Sequence, residues 1–154
     1  MDVVYKTDEA VFNFRVAGIW IENGHVLIHK DVKDDHWLLP GGRVQLSEET
    51  QAGIEREFRE ELGVDVTIER LVWISENFFE YTEKNFHEIG FYYKVTSNQT
   101  SLLFTEEPFY GVEGERFIFQ WAPIEKLKEI KFYPEFLKTA LNNLPSNTQH
   151  FIEK

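Results

Sequence analysis

The chain of 154 residues contains no cysteine and a single methionine. Without cysteine there are no disulfides and no thiolate metal ligands, so any metal must be met by oxygen or imidazole donors. No apolar run reaches the ~20 residues of a membrane-spanning helix. The start, Met1 to Lys6, lacks the basic-then-apolar layout of a signal peptide. These absences predict a cytoplasmic protein with no membrane partner. Positive charge is scarce as well: 16 Lys and Arg stand against 27 Asp and Glu, a formal charge of −11. That balance opposes binding to bulk nucleic acid or anionic lipid. A polyanionic substrate would then need a divalent ion or local basic groups, for which Lys30, Arg43 and Lys94 are candidates. There is no repeat, low-complexity tract or Pro/Ser-rich linker, so residues 1–154 read as one domain.

What is present is an apolar content of 42%, ample for a core. Val11 to Ile21 predicts a first strand. Asn23-Gly24 then forms a hairpin turn into His25 to His29. Asp31 to Asp35 is a polar loop, and Trp37, Leu38 and Leu39 predict a short strand ending at Pro40. Alternation predicts further strands over Val64 to Ser75 and Phe86 to Val95, where His87 shares a face with Ile89 and Phe91 and reads as a buried structural histidine. A later strand carries Phe117, Phe119 and Trp121. Pro123 opens a short helix through Ile130, and Pro134 a helix carrying Leu137, Ala140 and Leu141. This order predicts an α/β fold, a mixed β-sheet between one helix on each face. Phe78, Phe79, Tyr81 and Phe86 are either hairpin packing or a surface on which a base stacks.

The most informative segment runs from Gly41 and Gly42 through Glu48 to Arg56, Glu57, Phe58, Arg59, Glu60, Glu61, Leu62, Gly63 and Val64. In a helix from Thr50 to Leu62, Ile54, Phe58 and Leu62 form an apolar ridge, and Glu57, Glu60 and Glu61 fall at i, i+3 and i+4 on the adjoining arc. Like charges at that spacing destabilise a helix. A hard cation would offset the cost, since Mg2+ takes carboxylate oxygens, water and phosphate. The alternative is an amphipathic helix with a solvated acidic face. Arg56, one turn before Glu60, is placed to orient that carboxylate. Gly63 suits a left-handed helix end, and Gly53 implies either close packing or a helix start near Thr50.

The same string resembles the Nudix box, the defining motif of the Nudix hydrolases, at each fixed position. The segment Gln45, Leu46, Ser47 departs from the common family version, which carries an acid and a glycine there. The resemblance implies the Nudix α/β/α sandwich and metal-assisted attack of water on a pyrophosphate, with Mg2+, or Mn2+ as substitute, held by Glu57, Glu60 and Glu61. It adds the carbonyl of Gly41 and the carboxylate of Glu48 as further metal ligands. It leaves the general base open between Glu57 and a loop acid before the last strand, Glu115 or Glu113. The implied substrate is a nucleoside diphosphate linked to another moiety or a related small diphosphate, and monomer and homodimer both stay open. Two competing readings are a catalytically silent nucleotide-binding module on the same fold and an RNA-processing hydrolase, which the acidic charge disfavours.

Overall fold

The computed structural model describes residues 1–99 and 104–154. Among them are nine strands: β1 (Val4–Lys6), β2 (Ala10–Glu22), β3 (His25–Asp31), β4 (Gly41–Arg43), β5 (Thr67–Tyr81), β6 (Lys84–Thr96), β7 (Phe109–Tyr110), β8 (Phe117–Pro123) and β9 (Gln149–Glu153). The helices are α1 (Thr50–Leu62), a 3-10 helix (Ile124–Glu129) and the single turn α2 (Leu137–Ala140). The sheet runs β7-β8-β3-β2-β6-β5-β9, with β1 and β4 also paired to β2. The β2–β6 and β5–β9 pairs are parallel and the other pairs antiparallel, so the sheet is mixed as expected.

β2 organises this arrangement. It pairs with β6 from Ala10 to Trp20, but with β3 only at Ile21 and Glu22. Beyond the Asn23-Gly24 turn, where both residues have positive φ, β3 leaves β2 and follows β8 along its whole length. The edge of β2 so exposed is taken by β4, which pairs at Arg15, Val16 and Ala17. The sheet therefore splits beside β4, and α1 lies against the split.

Two apolar clusters sandwich the sheet. On the α1 face, Ile54, Phe58 and Leu62 pack with Val16, Trp20, Tyr93 and Trp121, as the helical ridge requires. On the other face, Ile19, Trp73 and Tyr92 are covered by Leu127, Phe132 and Leu137. Gly18 gives Phe58 its seat: a Cβ there would lie 2.6 Å from the ring. α1 ends at Gly63 with φ 70°, its N–H reaching the carbonyl of Arg59. It begins at Thr50, and a Cβ on Gly53 would approach Glu48 Oε1 to 3.1 Å, so both explanations of that glycine apply.

Several expected boundaries shift. β1 precedes the strand expected first, and β9 follows the one expected last. Trp37, Leu38 and Leu39 do not form a strand: among the described residues Leu38 bridges His29 on the β3 edge that β2 leaves open, while Trp37 turns to Phe132, so the triplet has no single partner strand. β5 continues past Ser75 to Tyr81, since its pairing with β6 carries the ribbon beyond the core. His87 lies on that extension and is exposed, stacked on Phe78 at 4.6 Å rather than buried. The helix after Pro134 is one turn, so the layer facing away from α1 is thin.

The turn before α1 holds Ser47 at φ 66°, in the left-handed region that favours glycine, within the segment that departs from the common family version. A side chain costs about 1–2 kcal/mol there, against ~0.5–1 kcal/mol for the extra unfolded freedom of glycine. Ser47→Gly should therefore raise the melting temperature by roughly 1–4 °C for a domain of this size. A fall would mean that Ser47 contributes a contact worth more than the strain.

Candidate functional site

The site is assembled where the sheet splits, and Arg56 is its hub. Its Nε and Nη2 donate to both oxygens of Glu48, at 2.7 and 3.0 Å. Nη1 donates to Glu57 Oε1 at 2.9 Å and to Glu60 Oε2 at 3.2 Å, while Nη2 also reaches the carbonyl of Arg43 at 3.1 Å. Arg56 thus reaches Glu60, the carboxylate it was expected to orient, but that is its longest and most exposed carboxylate contact. Its first partner is Glu48, whose fork-on-fork pairing the sequence did not reveal. Glu48 Oε1 also accepts the N–H of Gln45. Hydrogen bonds from Arg56 are the first cause holding the Glu48 carboxyl below its usual range and raising the Arg56 guanidinium.

The three helix glutamates share an arc but lie at different depths. The Glu60 side chain is 49% exposed, Glu57 is 14% exposed and Glu61 is 6% exposed. Burial raises the pKa of Glu57, against the lowering pull of Arg56. Glu61 is pushed up to about 9, by burial first and then by the charge of Glu57. Its Oε2 is buried and has no hydrogen-bond partner among the described residues. Facing it at 3.9 Å is His29 Nδ1, also buried and unpartnered. The two do not form an ion pair in this state, because burial holds His29 down to about 3 and so keeps both groups neutral around pH 7. His29 is fixed by stacking on Phe117 at 5.2 Å and by contact with Phe119 at 5.3 Å.

The glycines serve the acids. A Cβ on Gly41 would strike the backbone of Val16, so β4 can lie on β2 only with glycine there. A Cβ on Gly42 would meet the Glu57 carboxyl carbon at 2.6 Å, so the carboxylate occupies the space a side chain would fill. A cleft of about 230 Å³ opens beside Glu61, lined by Glu113, Arg116, Phe117 and Phe119. Of the two loop acids, Glu113 lines this cleft and adds to the field that raises Glu61; Glu115 is exposed and does not line it.

Arg15 is the site cation that the sequence reading missed. It pairs in register with Arg43 on β4, and its charge bears on Glu57, Glu61 and His29. Lys94 is instead held by Glu69 at 3.2 Å, and Lys30 lies over the Trp37 ring at 5.2 Å. His29 could have been noticed as a polar residue at the same inward parity as Leu27 in a strand. Nothing local marks Arg15.

Oxygen donors anchored on one helix face, an orphaned Glu61 oxygen and the hollow at Gly42 suit a hard divalent cation. The fit is one of donor type and place. Among the described residues no three His, Asp or Glu side chains converge as a ready cage, because Glu57 and Glu60 turn to Arg56 and Glu61 turns inward.

A sequence model of the family described as NUDIX domain matches residues 13–141. An RNA pyrophosphohydrolase of Ruthia magnifica subsp. Calyptogena magnifica is 26% identical over 153 residues, covering 88% of this chain and 85% of that protein. A MutT-like protein of Streptomyces ambofaciens is 27% identical over 127 residues, covering 80% and 71%. Among solved structures, a UDP-X diphosphatase superposes with TM-score 0.60 at 18% identity, covering 96% of this chain and 68% of the other. The mutator MutT protein of Bacillus halodurans gives 0.59 at 17%, covering 91% and 89%. At these identities the structures establish the shared fold.

Glu61 and His29 set opposite pH limits on the metal-free protein. A raised carboxyl pKa means the folded chain keeps a proton that the unfolded chain releases, so stability falls as pH rises from about 4.5 towards 9. A lowered imidazole pKa means the unfolded chain takes up a proton first, so stability falls as pH drops from about 6.5 towards 3. Between 4.5 and 6.5 the two slopes oppose. Denaturation in chelator should therefore show Glu61→Gln flattening the alkaline limb and His29→Phe the acid limb. If both variants keep the parent profile, burial does not govern these groups.

Proposed function

The chain belongs to the Nudix hydrolase family, and from that premise we propose that it is a divalent-metal-dependent enzyme cleaving the pyrophosphate linkage of a nucleoside diphosphate joined to a second moiety. The observation that carries this reading is the set Glu57, Glu60 and Glu61 on one helix face, held by Arg56. A solvated acidic face needs no buried member, no glycine hollowed for a carboxylate and no arginine shared among Glu48, Glu57 and Glu60. A silent binding module would have no use for this costly cluster.

Glu57, Glu60 and Glu61 would hold the cation, Mg2+ or Mn2+ in its place, with the Gly41 carbonyl beside them. Such an ion supplies charge neutralisation of the pyrophosphate oxygens and a lower pKa for attacking water. The chain's own groups do the rest. Glu48 has both oxygens engaged, so its part is to hold Arg56 rather than to ligate. Glu57 Oε1 takes the Arg56 bond, which leaves both lone-pair positions of Oε2, one for the cation and one to accept a proton from water. Of the loop acids, Glu113 would assist rather than Glu115, a reading supported by its lining the cleft beside Glu61. Arg15 and Arg43 offset the acidic surroundings for an incoming phosphate. Water adds to phosphorus, the bridging P–O bond breaks, and two phosphate-bearing products leave.

The test is a phosphate-release screen of nucleotide sugars, ADP-ribose, dinucleoside polyphosphates and nucleoside triphosphates with Mg2+ or Mn2+. At least one compound should turn over, and chelator should abolish the activity. Glu57→Gln should lower kcat about 10²–10⁴-fold if Glu57 is the base. Arg56→Lys, which keeps charge but loses the planar fork, should cost roughly 10–100-fold with the fold intact. Activity unchanged in chelator would remove the metal from the account, and parent-like Arg56→Lys would reduce Arg56 to a surface charge.

A further inference from the structure

The face of the sheet opposite α1 carries a row of side chains that an apolar core does not explain. Asn13 on β2, Glu88 on β6 and Asn77 on β5 are direct register partners across three strands, so all three point to the same face. Asn13 Nδ2 donates to Glu88 Oε2 at 2.8 Å, and Asn77 Nδ2 to Oε1 at 3.4 Å. Arg15 Nε lies 3.9 Å from Oε2. Both asparagines are buried, while the Glu88 side chain keeps 12% exposure and Arg15 26%. A carboxylate has about four lone-pair positions. Each Glu88 oxygen accepts one amide, which locks its rotamer and leaves further acceptor capacity on a carboxylate that is still reachable.

The neighbouring rows give this carboxylate a context. Two residues outward along the strands, about 6.8 Å away, Phe86 and Phe79 are register partners on the same face, stacked at 5.1 Å and 10°, with Phe79 42% exposed. Two residues inward, Arg15, Gly90 and Ser75 form the next row. Arg15 in turn lies within electrostatic reach of Glu57 and Glu61. From the hairpin tip to the acidic helix the order is aromatic surface, fixed carboxylate, arginine, carboxylate cluster. A nucleotide presents base, sugar and phosphate in that order at comparable spacing.

We propose that this face is a ribonucleoside subsite, in which Glu88 accepts hydrogen bonds from the ribose 2′- and 3′-hydroxyls and the Phe79–Phe86 pair stacks the base. The inference rests on the nucleotide-hydrolase reading and narrows its substrates to ribonucleotides with little choice of base. A carboxylate is the usual recogniser of a ribose diol, and stacking accepts any base. Asn13 and Asn77 are positioning residues: they hold Glu88 and do not touch the sugar.

Binding of reaction-inert monophosphates tests the subsite without turnover. Calorimetric titration of the full chain, with Mg2+ present, would compare AMP, 2′-deoxy-AMP and ribose 5-phosphate. A charged hydrogen bond lost with the 2′-hydroxyl should weaken 2′-deoxy-AMP about 10–100-fold relative to AMP. Ribose 5-phosphate should also bind more weakly than AMP, because it has no base to stack. AMP, GMP, CMP and UMP should agree within a few-fold. In Glu88→Gln the AMP to 2′-deoxy-AMP ratio should collapse towards one, while Phe86→Ala should weaken all four nucleotides and keep the ratio. The wild-type ratio needs no variant to fold. Equal affinity for AMP and 2′-deoxy-AMP, or no binding of either, overturns the subsite and leaves the hydrolase reading to the turnover screen. Pyrophosphate hydrolysis of ribo- and deoxyribonucleotides at equal kcat/KM would likewise reject the subsite while upholding the hydrolase.

Discussion

The site depends on one guanidinium. Arg56 gathers three carboxylates and one carbonyl, and through Glu48 and Arg43 it ties the loop after β4 to α1. Without it, Glu57 and Glu60 would repel each other across one turn of helix, and the loop would lose the directed bonds by which Glu48 and the Arg43 carbonyl are held to the helix. A lysine could supply the charge but not several directed donors in one plane. The sheet architecture supports the same point: β4 can dock on β2 only because Gly41 has no side chain, and that docking brings the Arg43 carbonyl to Arg56.

Depth then differentiates acids that look alike in sequence. Glu60 is wet, Glu57 is half-buried, and Glu61 is deep enough that burial outweighs the pull of Arg15. A buried acid without a hydrogen-bond partner is costly to the fold in the absence of a cation. The cost has a use if a positive ion is what Glu61 awaits, since the same low dielectric that penalises a lone carboxylate strengthens its attraction to a cation. His29, fixed between aromatic rings and with Nδ1 unpartnered among the described residues, faces Glu61 Oε2 at 3.9 Å and is a donor within reach of a small shift if that carboxylate ionises.

Much of this was legible in the chain and some was not, for physical reasons. The limits of α1 were, because periodicity, Gly63 and the apolar ridge agree locally. So were the hairpin at Asn23-Gly24 and the strand of Phe117, Phe119 and Trp121. The fate of Trp37 to Leu39 was not, because an apolar triplet becomes a strand only if its residues share one partner, and here Leu38 pairs with His29 while Trp37 pairs with Phe132. The length of α2 and the existence of β1 and β9 depend on tertiary pairing of short segments with weak signals. In the site, residue types were readable but pairings were not: Glu48 rather than Glu60 as the main partner of Arg56, and Glu113 rather than Glu115 beside the cleft, follow from loop paths. Asn13, Asn77 and Glu88 are 75 and 11 residues apart as hydrogen-bonded pairs, and only the strand register joins them.

An acidic protein with a polyanionic substrate poses an electrostatic problem that composition cannot solve and topology can. A net charge of −11 repels phosphate at long range, yet within a Debye length of about 8–10 Å local arrangement dominates. β2 carries Arg15 on the face opposite α1 and β4 sets Arg43 opposite it in register, so two cations line the split in the sheet while the carboxylates approach it from the helix. Were β3 to stay paired with β2 along its length, β4 would have no edge to occupy. Gly42, the Arg43 carbonyl and the Glu57 carboxylate would then not meet. The early divergence of β3, set by only two paired positions after a tight turn, is therefore the topological condition for bringing acids, arginines and the buried histidine to one opening.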